Sequence, residues 1–171
     1  IGLTADQLSY DGILRGYIKA ATALMQNRCK IKLMRQTLQA YMDDWPINQD
    51  YIELPFPPLY SVTHIKYTGS DGSTINTFSS DDYSVDTVRW PGRVVLNYND
   101  TWPTSELHTS NPIEIEYSVG YANQADVEED IKLAIAMTVA YWFENPEGAG
   151  KIIPEASKAL MDSYRVFTLS L

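Results

Sequence analysis

The sequence predicts an α+β fold: a helical core, made of one long N-terminal helix and two C-terminal helices, with an inserted, mostly antiparallel β region. Three observations predict it. Apolar residues recur at three-and-four spacing towards both ends, they alternate with a period of two through the middle, and strands and helices do not alternate as in a parallel dinucleotide-binding sheet. The 171 residues suit one domain, read as a helical part over 1–33, a β insertion over 34–121, helices over 122–165 and a tail over 166–171.

Ile13, Leu14, Tyr17, Ile18, Ala21, Leu24 and Met25 share one helical face, which predicts a first helix over Tyr10 to Met25. Ser9 or Asp11 is placed to cap its start, and Arg28, Lys30 and Lys32 follow where a helix C-terminus favours cations. From Met34 the period becomes two. Leu38, Ala40 and Met42 alternate with Thr37, Gln39 and Tyr41, as in a strand with one buried face, closed by Trp45-Pro46. Tyr51 to Leu54 is a brief extended piece, and Pro55, Pro57 and Pro58 exclude a helix or central strand after it. Ser61 to Thr68 and Ser73 to Phe78 read as the arms of a hairpin turning at Gly69-Ser70-Asp71-Gly72.

Polar turns at Ser80-Asp81-Asp82 and Trp90-Pro91-Gly92 set off the strands Tyr83 to Val85 and Arg93 to Tyr98. In Ile113 to Val119 apolar residues alternate with Glu114, Glu116 and Ser118, so the acidic face is expected in water. The second helix is expected from Asp126, because Asp126 and Glu129 have capping-box spacing. Val127, Ile131, Ile135, Thr138, Val139 and Trp142 would face inward. Asn145-Pro146 ends it, and Pro154 suits the first turn of a third helix carrying Ala156, Leu160, Met161 and Tyr164 on one side. The Trp-Pro pairs at Trp45, Trp90 and Trp102 read as strand terminators.

Apolar residues make up 44% and charged residues 20%, a folded composition, with twelve Tyr and four Trp. The net charge of -9 repels phosphate on average. The cluster Arg28, Lys30, Lys32 and Arg35 is short, lacks interleaved aromatics and reads as a solvated helix end rather than a nucleic-acid site. Cys29 is the only cysteine, which excludes an internal disulfide and a multi-cysteine metal site. The start shows no basic-then-apolar leader and the chain no long apolar run, so it reads as soluble and unexported. Because it begins at Ile1 rather than Met, a leader or disordered start is expected to be missing from it.

No enzyme, metal site or cofactor is expected. The two histidines, His64 on a strand and His108 in a loop, are too few for a zinc site or a Ser-His-Asp arrangement, and Cys29 shows no partner base. Asp43-Asp44 and Asp81-Asp82 are adjacent carboxylates, which point to opposite faces of a strand and read as turns. Asp126, Glu128, Glu129 and Asp130 lack a calcium-loop pattern, and Gly69 and Gly72 form no phosphate loop. Aromatics on antiparallel strands also suit a carbohydrate-binding module, the alternative function, but that reading leaves the helices unexplained. Tyr and Trp equally favour protein interfaces.

The succession of segments resembles a known family. It runs from the helix Asp11 to Cys29 through Arg35 to Tyr41, Trp45-Pro46, Ile52 to Pro55, Pro58 to Val62 and Asp82 to Asp86. Pro91 to Val94, Trp102-Pro103, Ile115-Glu116-Tyr117, Gly120-Tyr121, Asp130-Ile131-Lys132, Ala140 to Asn145 and Ser163-Tyr164-Arg165 complete it. In order and spacing this is similar to the head-tail connector, or adaptor, proteins of tailed bacteriophages, also found in gene transfer agents. It departs at the start, where family members carry a further helical segment and this sequence has Ile1 to Ser9.

The resemblance implies a structural virion protein at the head-tail interface, made in the host cytoplasm. It implies a homo-oligomeric ring, usually a dodecamer, beneath the portal protein, extending the DNA channel and docking the tail or stopper protein. DNA would pass through without sequence-specific binding, along an acidic wall that lets phosphates slide. No membrane partner is implied. A ring contact joins one flank of a subunit to the opposite flank of its neighbour. Arg165, Phe167, Leu169 and Leu171 in the apolar tail are the expected portal-binding residues, the alternative being a tail folded back over its own subunit.

Overall fold

The computed structural model describes residues 5–166, with side chains from Tyr10 onward. The fold is α+β, in two compact units: Ile1–Lys30 with Ala125–Leu171, and Ile31–Gln124.

In the helical unit, α1 spans Ala5–Cys29, α2 Glu129–Glu144 and α3 Glu155–Asp162. Ser9 and Asp11 therefore lie inside α1 rather than capping it, and Asp11 pairs with Arg15 one turn on (2.9 Å). Lys30, at φ 58, takes the left-handed conformation that stops the helix. Of the expected apolar face, Ala21 and Met25 are fully buried, whereas Ile13 and Ile18 stand about half exposed. Trp142 fills the centre beside Ala21 and Val139, its edge against Tyr17 and its indole N–H donating to the Ile152 carbonyl at 2.6 Å. Met25, Cys29 and Met161 are buried where α1 ends and α3 passes. The Cys29 thiol donates to the Met161 carbonyl at 3.1 Å, and Arg28 pairs with Asp162 at 2.8 Å.

The start of α2 differs from expectation. Asp126 closes a short 3-10 turn, Gln124–Asp126, and the helix begins three residues later with Glu128 at the cap. Instead of a capping box, the Glu128 carbonyl accepts from both Ile131 and Lys132. In α3 the buried residues are Ser157 and Met161, while Ala156 faces out.

In the β unit, β1 (Gln36–Met42), β7 (Ile113–Val119), β3 (Leu59–Thr68) and β4 (Ile75–Phe78) form one antiparallel sheet in that order. β2 (Tyr51–Glu53), β6 (Arg93–Leu96) and β5 (Tyr83–Asp86) form a second. β7 is paired on both sides, and its strict alternation buries Ile113, Ile115, Tyr117 and Val119 against Leu54, Leu59, Ile65, Phe78 and Val94. The predicted hairpin joins β3 to β4. Gly72 supplies φ 69, and the Asp71 carboxylate accepts from the Ser73 and Thr74 backbone and from the Thr74 hydroxyl (2.6 Å).

Two of the three Trp-Pro tryptophans are core residues and not strand ends. Trp45 and Trp102 stack at 5.3 Å and 10°, with Phe78 against both. The strands before these pairs end earlier, at Met42, Asp86 and Leu96, so the pairs lie in loops and do not terminate strands; Trp45 and Trp102 pack into the β core, and Trp90 stays more than a third exposed.

Candidate functional site

Among the described residues, a histidine lies within ion-pair distance of carboxylates on one face of the four-stranded sheet. Register places His64 across from Glu116 and Lys66 across from Glu114, while Gln39 and Tyr41 face the same carboxylates from β1. His64 lies 3.2 Å from Glu114 and 3.9 Å from Glu116. The acidic face is thus partly covered by flanking side chains instead of lying open in water. Partial burial, with the Glu114 carboxylate beside it, pushes the Tyr41 phenol up. The arrangement is a cross-strand charge ladder. Among the described residues no group of three His, Cys, Asp or Glu is placed to hold a metal ion.

Surfaces suited to partners are more prominent. On the helical unit, Leu14, Ile18, Ile135, Val139 and Phe143 line an open apolar groove of about 400 Å³, extended by the exposed Tyr10 ring packed edge-on to Phe143. A second open groove, about 730 Å³, runs beside the C-terminal half of α1 and is edged by Arg28, Lys30 and Arg165. Of the four tail residues expected to bind a portal, Arg165 is described: it is exposed just after α3, where the Val166 N–H donates to the Cys29 carbonyl at 3.0 Å. Phe167, Leu169 and Leu171 lie outside the described residues.

The β unit has two chemically opposite ends. β1 and β3 both run antiparallel to β7, so the starts of β1 and β3 meet the end of β7. There the Arg35 guanidinium stacks on the Tyr60 ring at 3.4 Å, and the Lys32 ammonium sits over the Phe56 ring at 5.1 Å. The Lys32 N–H donates to the Pro57 carbonyl, which holds the two segments together. Phe56 itself has φ 64, an unfavourable conformation for a bulky residue.

This corrects the reading of the basic cluster. Lys32 and Arg35 are not a helix end, and aromatics do interleave with them, contributed by Phe56 and Tyr60 from another segment. No spacing rule links positions so far apart in sequence; the paired prolines after Phe56 were the available hint.

At the other end of the same strands, Asp43 and Asp44 follow β1 and face the loop before β7 across a cleft of about 500 Å³. Glu106, His108, Trp45 and Ile47 also line it, and no lysine or arginine does. The Asp43 carboxylate accepts from the Asn111 N–H at 2.8 Å, which ties the two loops together. Trp45 carries a buried indole N–H with no acceptor among the described residues.

A family model described as Head completion protein matches residues 2–165. No curated protein matches. Among solved structures, the chain is similar to one in the neck of a native gene transfer agent particle computed with C12 symmetry, at 19% identity and a TM-score of 0.73 over 92% of this chain and 85% of that one. It is also similar to a chain in the neck of an empty particle computed with C6 symmetry: 21% identity, TM-score 0.75, 99% and 86% coverage. A third similar chain is from the virion of a native gene transfer agent, at 19% identity and TM-score 0.73, covering 99% and 82%. At these identities the likeness establishes the α+β fold.

Proposed function

Because the chain belongs to the head completion protein family, we propose that it is a structural head-tail connector, one subunit of a closed ring at the neck of a virus-like particle. The match over residues 2–165 carries this reading. The fold shared with neck chains, and the C12 and C6 symmetries of those necks, support a ring, with twelve copies as the expected number. Such a subunit acts by shape and adhesion and performs no catalysis. The apolar groove between α1 and α2 and the two charged ends of the β unit supply surfaces of the kind that assembly covers.

Within this reading the two units work as one connector subunit. The tail, with Arg165, Phe167, Leu169 and Leu171, docks on the portal protein, and the ring extends the DNA channel and receives the tail or stopper protein. The wall facing DNA is acidic and lets phosphates pass.

Electron microscopy of particles containing the chain tests the assignment: density for it is expected as a ring between capsid vertex and tail. Its location in the shell or the tail tube, or turnover of a substrate by the isolated chain, would overturn the assignment. Deleting Phe167 to Leu171 should abolish portal attachment with the circular dichroism spectrum unchanged; normal attachment would remove the tail from the mechanism.

A further inference from the structure

We propose that neighbouring copies join head to tail through the β unit, the cationic-aromatic end of one copy seated in the acidic cleft of the next. The inference rests on the connector reading and adds the contact that closes the ring. A heterologous contact needs two different, complementary patches on one subunit, related by a rotation that closes. The ends of β1 provide them. Before it, Lys32 and Arg35 lie on the rings of Phe56 and Tyr60; after it, Asp43 and Asp44 flank a cleft that Glu106 also lines.

Charge sign identifies the occupant as a second copy. On a chain with 22 acidic and 13 basic residues, a cleft free of lysine and arginine would repel most of the chain's own surface but attracts this end. Each patch also couples charge to exposed apolar surface: Tyr60 is 54% exposed at the basic end, and Ile47 is 82% exposed at the acidic one. Arg and Tyr are the residue types that carry much of the binding energy at protein interfaces. Stacking on Phe56 and Tyr60 limits the rotamers the two cations must give up on binding. β1 has seven residues, so the patches stand roughly 24 Å apart, too far to satisfy one another within a copy.

The test is cysteine trapping in assembled particles. With Arg35→Cys and Asp44→Cys in the same chain, mild oxidation should produce a ladder of covalent multimers reaching ring size, while either substitution alone should leave monomers. Cys29 is fully buried and stays silent. Reversal of charge with Lys32→Glu and Arg35→Glu should lower incorporation into particles by about tenfold or more. Asp43→Lys with Asp44→Lys should do the same, and co-expression of the two reversed chains should restore it. Both reversed proteins should keep the wild-type circular dichroism spectrum.

Dimers from Arg35→Cys alone would mean a symmetric contact, and trapping to packaged DNA or to another protein would assign the basic end elsewhere; either overturns the proposal. So does the absence of a ladder in particles whose neck ring is visible, a result that leaves the connector reading standing. If particles of the unsubstituted chain show no ring, both fall.

Discussion

Gly120 is the position at which one added methyl group should do most damage to this fold. It has φ 91, and a Cβ there would stand 2.4 Å from the Met34 carbonyl oxygen, 2.6 Å from its carbon and 2.9 Å from the Arg35 nitrogen. Every obstacle is backbone, so no rotamer change relieves the overlap, and the segment before β1 must move away from the end of β7. Two hydrogen bonds join those segments, Tyr121 N–H to the Leu33 carbonyl at 2.9 Å and Arg35 N–H to the Tyr121 carbonyl at 3.1 Å, and the Gly120 N–H donates to the Pro58 carbonyl, just before β3, at 2.8 Å. Backbone strain of about 1–2 kcal/mol and about 1 kcal/mol for each of two weakened bonds give a loss of about 3–4 kcal/mol for Gly120→Ala. That is a large part of the roughly 5–15 kcal/mol that holds a domain together. Urea unfolding followed by the fluorescence of Trp45 and Trp102, both in the β core, measures it. The same chemical change at Gly16, in α1 with nothing within 4 Å of the added carbon, should be neutral or stabilising by up to about 1 kcal/mol. A loss below about 1 kcal/mol at Gly120, or equal effects at the two glycines, would refute the reasoning.

Trp102→Phe should cost about 1 kcal/mol more than Trp45→Phe in the same urea assay, because Trp102 donates to the Gln49 carbonyl at 2.8 Å and Trp45 has no bond to lose. Equal losses would show that ring volume alone decides. Burial pushes the Cys29 thiol up to about 11, against 9.0 when unfolded, with Asp162 adding to the rise and Arg28 opposing it. The neutral thiol's contribution to stability is therefore complete below about pH 9 and lost as the pH climbs through 11. Ellman's reagent at pH 8 should react with it only on unfolding; fast labelling of native protein would contradict its burial. Hydrogen bonds from Thr74 and Ser73 hold the Asp71 carboxyl far below its ordinary 3.8, so its support for the β3–β4 turn is full above that pH and lost as pH falls below it. NMR hydrogen exchange at Thr74 should accelerate towards low pH in excess of the intrinsic trend, and Asp71→Asn should remove that dependence.

Legibility in the sequence followed how local each signal was. β7, β1 and the β3–β4 hairpin were readable because alternation and turn chemistry act within a few residues, and the buried set Ile113, Ile115, Tyr117 and Val119 follows from period two alone. α1 was readable in type but not in its buried face. Three-and-four spacing defines a stripe wide enough to include Ile13 and Ile18, and α2 covers only part of that stripe. The capping-box spacing at Asp126 misled because a 3-10 turn intervenes before the helix. The tryptophans misled in another way: the proline beside each one announced a strand end, whereas stacking of Trp45 on Trp102 depends on loops brought together by the finished sheets. The same limit hid the pairing of Lys32 with Phe56 and of Arg35 with Tyr60.

The β frame makes demands that a ring would explain. In a closed ring of twelve, each contact must turn the next subunit by about 30°, and an error of a few degrees repeated at each step opens the circle into a helix. The two docking ends must therefore keep a fixed relation inside every subunit. Here they are opposite ends of the same three strands: β1, β7 and β3 pair along their length, and the strands' rungs set the separation of Arg35 from Asp44. Both ends are also locked locally, by the Lys32 bond to Pro57 at one and the Asp43 bond to Asn111 at the other. Close-packed sheets resist the shear that would let one end drift against the other. Placing Gly120 where the basic end joins this frame couples the two: a substitution there disturbs the position of Arg35 as well as the stability of the sheet. Gly120→Ala chains that still fold should therefore fail to incorporate into particles sooner than their loss of stability alone accounts for.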